Sequence, residues 1–217
     1  YAKTLERAKR TAVGLILSTM QKLAASSIAA VASAMKKRRA SLEKKSQKIE
    51  ELRLARQSPN WDDENSVLAD MSEEEAEKAL SQMITVLKDE DASLDHLIGL
   101  SGLVQSETKL DSIINLVEKE CEFESVLFFT EYKVTQGLLV QLLSEKWGKE
   151  KVGFINGDNI LIVTQPDGVE LRLSSQRRDV ANDFNSGRIR FLVSTEAAGE
   201  GVDLQKKCRT LIHVDLP

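Results

Sequence analysis

The run Thr195-Glu-Ala-Ala-Gly-Glu-Gly-Val-Asp-Leu-Gln205 follows directly on the apolar stretch Phe191-Leu-Val-Ser194. It sets a hydroxyl, two glycines around a carboxylate, and a second carboxylate at the end of an expected strand. That combination suits phosphate and ribose chemistry. Gly199 and Gly201, on either side of Glu200, let backbone amides approach a phosphate closely. Asp203 can accept a hydrogen bond from a ribose hydroxyl. The same Gly-x-Gly spacing also serves as a tight turn that binds nothing.

Other groupings bear on chemistry. Lys36, Lys37, Arg38 and Arg39 are four successive cations, suited to a salt-sensitive hold on phosphates. They could equally form a solvated helix face, or pair with the acidic stretch 62–77. Ile84-Thr-Val-Leu-Lys-Asp-Glu-Asp-Ala92 imitates a strand feeding a magnesium-binding Asp-Glu pair. The spacing of Ala76, Leu80, Met83 and Leu87 predicts a helix there instead, with Asp89 to Asp91 at a solvated acidic end. His96 and His213 are more than a hundred residues apart, which argues against a shared metal site. His213 falls on a strand expected to be buried.

These groups need a scaffold. From Ser125 onward, short apolar runs alternate with helical spacings, the pattern of a doubly wound, mostly parallel α/β sheet. The expected strands are Val126–Phe129, Val152–Ile155, Phe191–Ser194 and Leu211–Val214. A helix through Val134, Leu138, Leu142 and Trp147 ends at Gly148, and another from Ser175 to Ser186 ends at Gly187. Ile160–Val163 and Val169–Leu173 flank Pro166-Asp167-Gly168, a hairpin inserted at the sheet's rim. A loop following a parallel strand opens into the crevice where such sheets bind ligands.

The first part of the chain is helical. Leu5, Ala8, Ala12, Leu15, Thr19 and Leu23 share one face. Ser26 or Ser27 can cap a second helix from Ile28 to about Arg56, whose Ile28, Met35, Leu42 and Ile49 repeat every seven residues. Together these predict a projecting basic helical hairpin over 1–60. Ser58-Pro59-Asn60 breaks it, and 61–104 reads as an acidic linker and helix with a Ser72/Glu75 capping box and a break at Leu97–Gly102. Thr108 and Asp111 frame one more helix, with Leu110, Ile113, Ile114 and Val117 inward. The third part, 105–217, is the α/β lobe.

Charge divides the chain into three as well, with the second boundary at 124. Residues 1–60 hold 14 Lys/Arg and 4 Asp/Glu, residues 61–124 hold 4 and 18, and residues 125–217 hold 12 of each. The basic part suits a polyanion partner. Cys121 and Cys208 lack the spacing of a zinc site or a disulfide framework. No stretch approaches the ~18 apolar residues of a membrane helix. With no leader pattern, no membrane partner and a cytoplasmic location are expected.

Five segments occur in a fixed order: Val126-Leu-Phe-Phe-Thr-Glu-Tyr132, Ile155-Asn-Gly-Asp158, Arg178 with Phe184-Asn185, Thr195 to Gln205, and His213-Val-Asp-Leu-Pro217. That succession resembles the second RecA-like lobe of superfamily 2 helicases. More closely, it resembles Swi/Snf-type DNA-dependent ATPases, in the bacterial branch similar to the RNA-polymerase-associated translocase. Phe128 to Tyr132 is similar to motif IV, and Thr195 to Gln205 to motif V. Lys109-Leu-Asp-Ser-Ile resembles the helix before motif IV, and the basic hairpin resembles the lobe's helical protrusion.

The resemblance implies a fragment of a motor that couples ATP hydrolysis to movement along nucleic acid, expected to be duplex DNA. It implies that Thr130 and Thr195 contact the tracked strand's phosphates and that Gly157 lies close to its backbone. Gly199, Glu200, Gly201 and Asp203 would link the nucleotide pocket to the track, and Lys36 to Arg39 would add a further grip. The chain departs from the pattern in lacking Gly-x-x-x-x-Gly-Lys-Ser/Thr: Gly148-Lys149 is followed by Glu150. The Arg-rich motif VI would begin past Pro217. ATP and magnesium are therefore expected only in a full-length parent, completed by the first RecA-like lobe. The fragment alone is expected to bind neither, to hold no catalytic residue and to be inactive. The alternative is a non-motor nucleic-acid-binding or regulatory α/β interaction domain.

Overall fold

The computed structural model describes residues 18–56, 73–104, 107–122, 124–164, 169–195 and 202–215. They form two compact units, one joining the segment up to Val31 with Val104 onward, the other spanning Ala32–Leu103.

The first unit contains helical residues 18–26 (α1), then α4 (Thr108–Glu120), β1 (Ser125–Thr130), α5 (Lys133–Trp147), β2 (Val152–Ile155), β3 (Ile160–Thr164), β4 (Glu170–Ser174), α6 (Arg177–Ser186), β5 (Phe191–Thr195) and β6 (Cys208–His213). The main sheet runs β2-β5-β1-β6, and every neighbouring pair is parallel. β1 and β5 are apolar on consecutive residues because both faces are covered, whereas β6 alternates half-buried and exposed. Val126, Phe128, Phe154, Phe191 and Val193 face a core shared with α4 and α5. Leu127, Ile155 and Leu192 face the opposite core, with Ala181 and Phe184 of α6. This is the expected α/β architecture, RecA-like in its parallel, doubly covered sheet.

β3 and β4 pair antiparallel in a sheet of their own, from Ile160↔Ser174 to Thr164↔Glu170. The expected Pro166–Gly168 turn lies outside the described residues. The hairpin packs on α5, and this corrects the expected helix face. Thr135, Gln136, Gly137, Leu139, Val140 and Leu143 are buried, whereas Leu138, Leu142 and Trp147 are only partly so. A helix covered by a sheet and a hairpin buries a wider arc than one stripe. Gly137 permits the close approach, since a Cβ there would stand 2.7 Å from the Ile162 carbonyl oxygen. Gly137→Ala gains about 1 kcal/mol of helix propensity. The backbone clash outweighs it, so a net loss of about 1–2 kcal/mol is expected, read as a lower urea midpoint.

α2 (Ile28–Arg56) starts in this unit. Ser27 Oγ accepts from Ala30 N at 3.0 Å, as a capping serine should. The two amides ahead of it are held from elsewhere: Glu107 accepts from Ile28 N at 3.1 Å and Ala29 N at 3.0 Å. A carboxylate at a helix N-terminus also meets the positive end of its dipole. Residues up to 17, which carry most of the expected first helix, lie outside the described residues.

In the second unit, α2 continues from Ala32 and pairs with α3 (Glu73–Gly102). Arg38 contacts Glu90 at 2.7 Å, Arg39 contacts Asp95 at 2.6 Å, and Arg53 contacts Glu77 at 2.5 Å. Arg38, in the first half of α2, meets Glu90 and Arg53, near its end, meets Glu77, which makes the pair antiparallel. Thus the basic helix packs on an acidic one that follows it in the chain. Leu42 is buried on the seam. α3 answers with Leu80, Ile84, Leu87, Asp91 and Ile98, all buried or half-buried, while Met83 is 56% exposed. The seam follows a 3.5-residue repeat, which drifts off the Leu80–Met83 spacing. α3 also runs through the break expected at Leu97, reaching Gly102; a single Gly99 is tolerated in a helix. Ser72 and the Glu75 side chain lie outside the described residues.

Candidate nucleic-acid interface

Parallel strands deliver their carboxyl ends to one edge of the sheet, and there the expected site residues gather. Thr130 ends β1 and Thr195 ends β5, and the two are register partners. Ile155 ends β2 opposite Ser194, so Asn156 and Gly157 emerge beside Thr195. Adjacent strands lie about 4.8 Å apart, which puts Thr130, Thr195 and the 156–159 loop in one short row. Gly157 is exposed, and a Cβ there would meet nothing within 4 Å. Asn159 takes φ 57° to turn the loop into β3, and Asp158 is ion-paired with Lys133 at the start of α5.

The hydroxyl of Thr130 is already engaged. Thr130 is buried, and its Oγ1 donates to Asp215 Oδ2 at 2.6 Å. Glu131 N donates to the same oxygen at 2.7 Å, and Tyr132 N points to Thr130 Oγ1 at 3.3 Å. Asp215 Oδ1 is buried without a hydrogen-bond partner, though Lys109 Nζ lies 3.5 Å away as an ion pair. Lys109 also donates to the Ala25 carbonyl at 2.6 Å. Burial raises the pKa of the Tyr132 phenol above its usual value, and the charges of Glu131 and Asp215 push the same way.

A second buried polar group aligns the strand ends. Gln136 Nε2 donates to Ile155 O at 3.0 Å and Val193 O at 2.9 Å, bridging β2 and β5. Its Oε1 accepts from Asn156 Nδ2 at 3.0 Å. Asn156 Nδ2 also reaches Ile160 O at 2.8 Å.

Of the expected nucleotide-linking residues, Gly199, Glu200 and Gly201 lie outside the described residues. Asp203 is exposed, and its Oδ1 accepts from Gln205 N at 3.0 Å, which closes a local turn. Its backbone oxygen accepts from Asn185 Nδ2 at 2.6 Å, tying the end of this segment to α6.

His213 corrects an expectation: it is exposed, not buried, because it falls on the outward phase of β6. Its ring stacks on Phe129, with centroids 5.6 Å apart. Asp89 to Asp91 are helical, within α3 rather than at its end, and Glu90 and Asp91 serve arginines. Hydrogen bonding to Arg38 lowers the Glu90 carboxyl below its ordinary pKa. Among the described residues, no three His, Cys, Asp or Glu side chains are placed to hold a metal ion. Among them also, no helix is long and apolar enough to cross a membrane.

Two important residues were not identified as such from the sequence. Asp215 lay within a quoted segment, without a role. Gln136 was given no role; its only sequence signal is a polar residue flanked by apolar and small ones on a helix that must cover a sheet.

The sequence family of the helicase conserved C-terminal domain matches residues 108–217, the whole stretch from α4 through β6. The ATP-dependent helicase YqhH of Bacillus subtilis (strain 168), itself uncharacterized, is 30% identical over 129 residues. That alignment covers 59% of this chain and 20% of YqhH, so the chain spans about a fifth of that relative's length. The parallel sheet, the ordered motifs and the family match agree: the chain belongs to the helicase conserved C-terminal domain family.

Proposed function

We propose that this chain supplies the second motor lobe of a Swi/Snf-type, DNA-dependent ATPase, and that it grips the nucleic-acid backbone from the carboxyl edge of its sheet. The observation that carries this reading is the row of Thr130, Thr195 and Asn156–Gly157 on adjoining strand ends. Backbone amides and small residues at strand ends suit sequence-independent tracking, since phosphate contacts position a strand without reading it. With the Thr130 hydroxyl and the Glu131 amide given to Asp215, and the Tyr132 amide to Thr130 Oγ1, the phosphate contact at this edge would fall to the neighbouring Thr195 and Gly157. Gly199, Glu200, Gly201 and Asp203 would connect this grip to the nucleotide.

The chain has no Lys-bearing phosphate loop of its own. ATP and magnesium accordingly belong to a composite site shared with the first lobe of a longer, cytoplasmic parent, and the residues described here support no hydrolytic step alone. A second reading has one observation behind it. Arg38 and Arg39 are paired with acidic residues of α3, as a regulatory interaction domain with a masked basic helix would require.

ATP turnover of the full-length parent decides between them. Duplex DNA is expected to raise it at least tenfold, and Thr195→Pro, which removes the strand-end amide, to abolish that stimulation. The purified 217-residue chain is expected to show no magnesium-dependent turnover. A parent indifferent to DNA, or turnover by the isolated chain, would overturn the motor reading.

A further inference from the structure

We infer that the helical unit holds nucleic acid by the stripe Lys37, Lys44 and Lys48, and not by the Arg38–Arg39 pair. This rests on the nucleic-acid reading above and narrows it to named charges. Residues 37, 41, 44 and 48 are spaced four, three and four apart, which places them on one face of α2. All four are exposed. They span about 16 Å of helix at ~1.5 Å per residue.

The two arginines are spent elsewhere. Arg38 contacts Glu90 through two hydrogen bonds at 2.7 and 3.1 Å. Arg39 contacts Asp91 at 3.1 Å and Asp95 at 2.6 Å. To grip a phosphate, either would have to leave a carboxylate that already matches its planar fork. Among the described residues, Lys37, Lys44 and Lys48 form no ion pair. The fourth residue of the stripe is Ser41, so the face is entirely polar. Glu51, three residues beyond Lys48, is the first acidic residue to follow on that side.

The partner's chemistry follows from the spacing. Three hydrated ammonium groups with no apolar anchor between them fit a phosphate backbone, which offers charge at regular intervals. A protein surface would seek an apolar centre. One exists nearby, in a groove lined by Ile49, Leu52, Met83 and Val86 with Lys45 and Lys48 at its border. A peptide seated there would leave Lys37 and Lys44 unused, because the groove's lining begins at Lys45.

The test is a salt-dependent titration of the 217-residue chain with a duplex DNA of fixed length. Each phosphate contact contributes about 0.9 to the slope of log affinity against log salt. The Lys37→Gln/Lys44→Gln/Lys48→Gln variant is expected to flatten that slope by about 2.7, with an unchanged helical circular dichroism signal. The triple Lys→Arg variant is expected to retain it. Arg38→Gln/Arg39→Gln is expected to keep the slope while lowering the thermal midpoint. If the parent chain binds DNA and the triple Gln variant keeps the full slope, the stripe is not the grip. A triple variant that keeps the DNA slope but loses an acidic amphipathic peptide would likewise overturn the inference, in favour of a protein partner. No DNA binding by the unmodified chain at low salt would instead sink the nucleic-acid reading beneath it.

Discussion

Gln136→Met is expected to destabilise the α/β lobe by about 3 kcal/mol. Methionine keeps the length and nearly the volume of the side chain, so the loss reports on hydrogen bonds rather than on a cavity. Gln136 is fully buried. Its amide donates to the Ile155 and Val193 carbonyls and accepts from Asn156. Removing it leaves several buried polar groups short of a partner, at about 1–3 kcal/mol for each that water cannot reach. Urea unfolding followed by circular dichroism measures the sum. The effect should also be local: β2 and β5 end beside the 156–159 loop, so amide exchange at Gly157 and Thr195 should accelerate before global unfolding does. An unchanged midpoint would mean that the strand ends are aligned by packing alone.

Much of the lobe was legible because its physics is local. Phe191–Val193 and Val126–Phe129 are apolar on consecutive residues, which is what a strand covered on both faces requires. Gly187 stops α6 in the left-handed conformation, φ 78°, as its position after Ser186 predicts. Other features depend on partners distant in sequence. The Glu107 carboxylate holds the first amides of α2 from 79 residues away, and no spacing rule reveals that. The carboxylates that meet the basic helix are likewise distant in sequence. Arg38 meets Glu90, Arg39 meets Asp91 and Asp95, and Arg53 meets Glu77, all on α3.

The site divides similarly. Thr130 and Thr195 were expected at strand ends, and the parallel register sets them side by side. What the Thr130 hydroxyl does there was not readable from position. A threonine at a strand end can face a ligand or a neighbour, and here it faces Asp215. His213 illustrates the converse error. Its apolar neighbours Leu211 and Ile212 implied a buried strand, yet β6 alternates half-buried and exposed, the pattern of a strand with one open face. Among the described residues, β6 stands last in the order β2-β5-β1-β6 and pairs with β1.

Asp215→Ala is expected to cost about 3 kcal/mol and to release the turn that joins β1 to α5. The carboxylate lies two residues past β6, yet its partners are on β1, the turn after it and α4: the Thr130 hydroxyl, the Glu131 amide and the Lys109 ammonium. Its side chain is 7% exposed. Bonds from two donors to a nearly buried anion are stronger than their neutral counterparts, and deleting the anion also removes the ion pair with the part-exposed Lys109. Asp215→Asn separates these contributions. It can still accept from Thr130 and Glu131 through Oδ1, but it loses the charge that faces Lys109, so about half the loss should return. Denaturation of both variants measures the energies, and amide exchange at Glu131 and Tyr132 measures the release. If Asp215→Asn proved as damaging as Asp215→Ala, the charge would be the essential element. If both proved neutral, the latch would be idle, and Thr130 would be free to turn its hydroxyl outward toward a phosphate.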